Sequence, residues 1–123
     1  MIQSVKGPLA VGNLGRTLTH EHLQMDFNVM YSSPPKQLER FFNNKINIEN
    51  VGFIKQYPYG SRYNLNFNDK EAEEGVIEDV QFYKECGGST IVENTSIGLK
   101  RNIPFLVKVS EKTGVNIVAG TGK

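Results

Sequence analysis

Tryptophan is absent from this chain and cysteine occurs once, as Cys86. A single cysteine closes no internal disulfide, which points to a reducing compartment. With no histidine near it in sequence, Cys86 reads as a small apolar residue at a helix end rather than a nucleophile. Long apolar runs are also lacking: nothing approaches the roughly 18 residues a membrane span needs. The first residues carry Lys6 but no long apolar core, so no signal peptide is read there. Nor does charge of one sign dominate. The 14 Lys and Arg face 13 Asp and Glu, a net charge of +1 mixed along the chain. That balance speaks against nucleic acid and against a polybasic membrane surface. The expectation is a cytoplasmic protein acting on a small molecule, with no nucleic-acid or membrane partner and its oligomeric state unread.

Histidine is scarce too. There are two, and both stand in Thr17-Leu18-Thr19-His20-Glu21-His22-Leu23. If this run is a strand, a side-chain period of two puts His20 and His22 on one face and Glu21 on the other. Two imidazoles on one face suit zinc, iron, nickel or copper. A bare His-x-His equally describes ordinary surface or core histidines, because a catalytic zinc normally takes at least three protein ligands. The residues alone leave both readings open.

The rest of the chain alternates strand and helix signals. Residues 2–11 read as a small hairpin with Gly7-Pro8 between two short apolar runs. Asn13 and Gly15 mark a turn, and the histidine strand follows over residues 16–22. Residues 24–70 are the least regular part. Pro34-Pro35, seven asparagines from Asn43 to Asn68, and Tyr57-Pro58-Tyr59-Gly60 mark a long loop. Short helices are expected within it over residues 37–43 and 48–56, the second with a stripe of Ile48, Val51 and Ile54. Such a loop reads either as a lid or substrate-facing wall or as a solvated insertion; Asp26, close after the histidines, reads as one of its ordinary residues, with a metal ligand or a ligand's hydrogen-bond partner as the alternative. Asn68 is then expected to cap a helix, with Glu71 completing a capping box. Ala72, Val76, Val80 and Tyr83 form its buried face, and Gly87-Gly88 ends it. Residues 89–94 read as a strand. A second helix starts at Asn102 and Pro104, with Ile103, Leu106, Val107 and Val109 as its apolar face. Thr113-Gly114 stops that helix before a strand over residues 115–119. The order is that of a parallel α/β fold without a linker between domains. Gly120-Thr121-Gly122-Lys123 is not a phosphate loop, since the spacing would require glycine where Ile117 stands. Asn94-Thr95-Ser96 fits a glycosylation sequon, which is an accident in a cytosolic protein.

Gly15-Arg16-Thr17-Leu18-Thr19-His20-Glu21-His22-Leu23 resembles the first-strand signature of the phosphotriesterase family, in the amidohydrolase superfamily. Val5-Lys6-Gly7-Pro8-Leu9 is similar to that family's N-terminal hairpin. Gly87 to Thr95, followed by Ile97-Gly98-Leu99-Lys100-Arg101, is similar to its second strand and loop. Thr113 to Gly122 is similar to its third strand. The Glu93-Asn94-Thr95 variant and Pro34-Pro35 lean toward the phosphotriesterase-related branch.

The resemblance implies an α/β fold of the (β/α)₈ TIM-barrel type, a parallel sheet with outer helices and a short N-terminal hairpin. Such a barrel takes about 250 residues. Residues 1–123 are therefore expected to be an incomplete barrel domain, its N-terminal part with the first three strands, and 24–70 a long insertion within it. Barrel active sites form at the C-terminal ends of the strands, where His20 and His22 fall. The implied activity is metal-dependent hydrolysis, in which two divalent cations per complete subunit, zinc foremost, share a hydroxide that attacks an ester or amide. His20 and His22 are the implied metal ligands. Glu93, at the end of a strand that supplies no ligand in the family, is a substrate-pocket candidate. The bridging lysine or glutamate, the remaining histidines and an aspartate belong to later strands. Relatives continue after the third-strand Gly-x-Gly with an aromatic residue where this chain has Lys123, as a truncation, a splice end or a gene-model error would leave it. Alone, the fragment is expected to be inactive. The alternative is a catalytically dead partial barrel that acts only as a binding or interaction piece.

Overall fold

The structure, a computed structural model, describes residues 1–122. Lys123 lies outside the described residues. Two compact units are present, one made of residues 1–24 and 69–123, the other of residues 25–68.

In the first unit, β1 (Ile2–Ser4) and β2 (Gly7–Leu9) form an antiparallel hairpin that pairs Ile2 with Leu9 and Ser4 with Gly7. The turn is Val5-Lys6, not Gly7-Pro8. Gly7 has φ 126°, a conformation open to glycine alone at low cost, so it makes the turn's exit and starts β2. Ser4 Oγ closes the turn by donating to Gly7 O at 2.7 Å and accepting from Lys6 N–H at 3.2 Å. The hairpin is tied on by Val5 N–H, which donates to Ile117 O at 2.8 Å.

Next come β3 (Thr17–Glu21), α3 (Lys70–Glu85), β4 (Thr90–Glu93), α4 (Ile103–Thr113) and β5 (Asn116–Ala119), with α1 (Val51–Gln56) and α2 (Arg62–Leu65) belonging to the second unit. The strands form one parallel sheet in the order β3-β4-β5. Each helix carries its strand's exit back to the next strand's start, as parallel pairing requires. Ile91 and Ile117, on one face of the sheet, are 2% and 0% exposed. Against them pack Val80 of α3 and Phe105, Leu106 and Val109 of α4, joined by Val115 and Leu23. Apolar burial of this kind is the main favourable term in the fold.

The helix ends are set by polar side chains. Asp69, not Asn68, caps α3 and accepts from Ala72 N–H at 2.9 Å. With the cap moved by one residue, Glu71 no longer falls at the capping-box position. Asn102 caps α4 as expected, through Phe105 N–H at 3.1 Å, and Gly114 with φ 73° ends it. The buried face of α4 runs through Phe105, Leu106 and Val109, whereas Ile103 is 37% exposed. A helix that begins at Ile103 has its first turn beyond the sheet, so the stripe starts two residues later.

The second unit is built from short pieces: 3₁₀ turns at Asn28–Met30, Lys36–Phe41 and Pro58–Gly60, with α1 (Val51–Gln56) and α2 (Arg62–Leu65). Phe42, Ile54 and Leu65 are its buried apolar residues. The Phe41 and Phe53 rings stack 4.1 Å apart. Ile48 does not share the face of Ile54; it is 92% exposed, because the helix begins only at Val51. Ser61 caps α2, its Oγ accepting from Asn64 N–H at 3.3 Å. Asp26 pairs with Asn66 across an isolated antiparallel bridge and accepts from Asn28 N–H and Nδ2. Among the described residues no helix is long and apolar enough to cross a membrane.

One glycine is dictated by contact rather than by φ. A Cβ on Gly88 would stand 2.3 Å from the Tyr83 ring. That ring cannot swing aside, because its hydroxyl lies 2.9 Å from both Arg16 O and Thr90 O, at the start of β3 and β4. Gly88→Ala is expected to destabilise the chain by about 2 kcal/mol through overpacking. Thermal unfolding followed by circular dichroism checks this, and an unchanged midpoint would show that the ring yields.

Candidate functional site

The site begins with an irregularity. Thr17 pairs with Thr90 and Leu18 with Ile91, but Glu21 pairs with Glu93. Three steps along β3 match two along β4, so β3 carries one extra residue. In an unbroken register His20 would stand opposite Glu93, on the face of Ile91 that the helices cover. The bulge instead puts Glu21 there and moves His20 to the other face, since a slip of one residue exchanges the faces of a strand. Backbone bonds hold the bulge: Asn94 N–H donates to Glu21 O at 2.8 Å and Asn94 Nδ2 to Thr19 O at 3.2 Å.

His22 follows directly on the last residue of β3. The His20 and His22 rings lie edge to face, with centroids 5.4 Å apart. Two imidazoles holding one zinc at about 2.1 Å and a near-tetrahedral angle would have centroids about 5 Å apart. The observed separation is of the size that two ligands of one cation would have. Among the described residues no group of three or more His, Cys, Asp or Glu could hold a metal ion. Cys86 is an exposed thiol at the end of α3.

Behind His22 stands a buried polar cluster that the sequence did not disclose. His22 Nδ1 is 3.0 Å from Thr95 Oγ1 and 3.9 Å from Glu93 Oε1. The Glu93 side chain is only 1% exposed. Its Oε1 accepts from Thr95 N–H at 3.0 Å and makes a short hydrogen bond with the Thr95 hydroxyl. Thr95 is fully buried and its hydroxyl also lies 3.2 Å from Gln24 O. Gln24, 5% exposed, then reaches both helices: its Nε2 donates to Glu73 Oε1 at 3.0 Å, and its Oε1 accepts from Asn102 Nδ2 at 2.7 Å. The segment after His22 is thus fastened to α3, to the start of α4 and to the end of β4. Glu93 faces this cluster, with its carboxylate engaged by Thr95. The sequence offered one signal for it, a carboxylate and a hydroxyl two residues apart at a strand end. Nothing paired Gln24 with Asn102 or Glu73.

An open cleft of about 240 Å³ lies beside β3, an edge strand of the sheet. Leu18, Glu21 and His22 line it on the strand side, and Val76, Asp79 and Tyr83 on the α3 side.

Comparison with known proteins gives this geometry a context. The model of the phosphotriesterase family matches residues 1–123. A phosphotriesterase-related protein from Aedes aegypti is 52% identical over 98% of this chain, and one from Drosophila mojavensis is 48% identical over 98%. The chain spans about a third of the length of these relatives, 34% and 35%. Among solved structures, a resiniferatoxin-binding protein from Rhodobacter sphaeroides superposes with a TM-score of 0.91 at 32% identity, over 98% of this chain and 33% of that one. The organophosphorus hydrolase from Deinococcus radiodurans superposes at 0.64 with 26% identity, over 98% of this chain and 28% of that one. The three parallel strands and their outer helices are the opening elements of the barrel these proteins share. The chain belongs to the phosphotriesterase family.

Proposed function

We propose that this chain supplies the first-strand metal ligands, His20 and His22, of a hydrolase that uses divalent cations to bring water onto an ester or amide. The observation that carries the reading is the edge-to-face imidazole pair, 5.4 Å apart at the C-terminal end of a parallel strand. That is where barrel active sites are built. The family is one of metal-dependent hydrolases with binuclear sites. Bound divalent cations supply Lewis-acid polarisation and a water of lowered pKa. The residues of this chain set two imidazole donors side by side at the end of a strand and hold the following segment with Gln24. Zinc, two ions per complete subunit, is the favoured metal, because imidazole suits it and it adapts its coordination.

The substrate is a small molecule rather than nucleic acid, in keeping with the near-neutral charge balance. Phosphotriesters and lactones lead the candidates: solved relatives include an organophosphorus hydrolase and an organophosphate hydrolase engineered from a lactonase. N-acyl amides complete the set, being cleaved by the same attack of water on a polarised carbonyl. A cytoplasmic location belongs to the same proposal, supported by the exposed free thiol of Cys86. A second reading, a partial barrel that binds without catalysis, is favoured by one observation. Among the described residues no third metal ligand joins the two histidines.

Two outcomes are expected. With two ligands, the 123-residue chain should bind zinc weakly and retain almost none after dialysis, as measured by elemental analysis. Tight stoichiometric zinc would mean that a third donor has been overlooked. Second, with zinc, cobalt or manganese added, this chain should turn over neither aryl esters, lactones, phosphotriesters nor N-acyl amides. The full-length Aedes aegypti relative assayed beside it should turn over at least one. Metal-dependent turnover by the short chain that disappears in His20→Ala would show that its site is already complete.

A further inference from the structure

We propose that Thr95, backed by Glu93 and the Gln24 carbonyl, is a positioning residue that fixes the tautomer of His22. The proton is held on Nδ1, and Nε2 is left bare to take a cation. The assignment follows from counting hydrogens. The Thr95 hydroxyl has one. Three groups stand within hydrogen-bond reach of Oγ1: Glu93 Oε1, Gln24 O and His22 Nδ1. The carbonyl of Gln24 can only accept. Glu93 Oε1 accepts from Thr95 N–H at 3.0 Å, and as a carboxylate oxygen it can only accept from the hydroxyl as well. The single hydroxyl hydrogen therefore goes to one of these two oxygens. What remains toward His22 is a lone pair. The 3.0 Å contact is a hydrogen bond only if Nδ1 carries the proton and donates. Were the hydroxyl to donate to Nδ1 instead, two acceptor oxygens would face its lone pairs with no hydrogen between them. Burial makes that arrangement more costly still: Thr95 is 0% and Glu93 1% exposed.

This matters because a free histidine in water prefers its proton on Nε2, the nitrogen a cation would need. A hydroxyl held as an acceptor beside Nδ1 reverses that preference before any metal arrives and restrains the ring. Partners on the far nitrogen of a ligating imidazole commonly alter metal affinity by about 10- to 100-fold. The use made of the bare Nε2 rests on the reading of His22 as a ligand; the tautomer itself does not.

The test uses the intact chain labelled with ¹⁵N-histidine, at about pH 8, where an ordinary imidazole is neutral. Only two rings contribute to long-range ¹H–¹⁵N correlations, and His20→Ala assigns them. His22 is expected with a protonated Nδ1 and a bare Nε2. Thr95→Val should move the proton to Nε2 and weaken zinc binding, read from the same signals on titration, by roughly tenfold or more. Thr95→Ser keeps the hydroxyl and should restore both. A His22 protonated on Nε2 in the unsubstituted chain overturns the proposal, as does a Thr95→Val spectrum with the tautomer unchanged. A His22 protonated on Nδ1 whose signals zinc does not move upholds the relay and overturns the metal reading instead.

Discussion

The parallel pairing of β3 with β4 is the constraint on which the rest depends. It joins Thr17 to Thr90 and Leu18 to Ile91 across more than seventy residues, so forming it closes a long loop. That closure is unfavourable in entropy, though it grows only slowly with loop length. The return comes from the Ile91 and Ile117 face, which buries against Val80, Leu106 and Val109. Pairing alone would leave His20 on that covered face. The extra residue in β3 separates the two demands: Leu18 keeps its place on the helix side, and His20 is released to the other. The two Asn94 bonds to Glu21 O and Thr19 O hold the bulge open on its partner strand.

Much of this was legible in the sequence, and for identifiable reasons. The helices at Lys70–Glu85 and Ile103–Thr113 announced themselves through apolar periodicity, an asparagine cap and glycine stops. The short β-branched runs between them could only be strands of a parallel sheet. Errors gathered where one residue decides the outcome. Asp69 displaced Asn68 as a cap because both residue types accept equally well and backbone geometry chooses between them. Gly7-Pro8 resembles a turn, yet Gly7 serves as the turn's last residue and Pro8 tolerates an edge strand, where no ladder donor is required of it.

The candidate site was half legible. A period of two brought His20 and His22 together on paper, and the rings do lie together. The face on which His20 lies was not readable, because a bulge has no sequence signature here: Thr19 and His20 are ordinary strand residues. Gln24 was invisible for another reason. Its partners Glu73 and Asn102 are 49 and 78 residues away, and neither local propensity nor spacing connects them. Long-range polar contacts of this kind become visible only once the strands are in register.

Gln24 also explains how helix packing reaches the histidines. It follows Leu23, a member of the core, and its backbone carbonyl touches Thr95 while its side chain bridges α3 and α4. A buried amide satisfied at both ends is costly to displace, since moving either helix strands a donor or an acceptor away from water. The segment that carries His22 therefore cannot shift independently of the helices, and the apolar core, through Leu23 and Gln24, sets the position of the imidazole. In a parallel sheet whose strands are only four or five residues long, the precision of the histidine pair rests on this strap and the bulge together rather than on the strand alone.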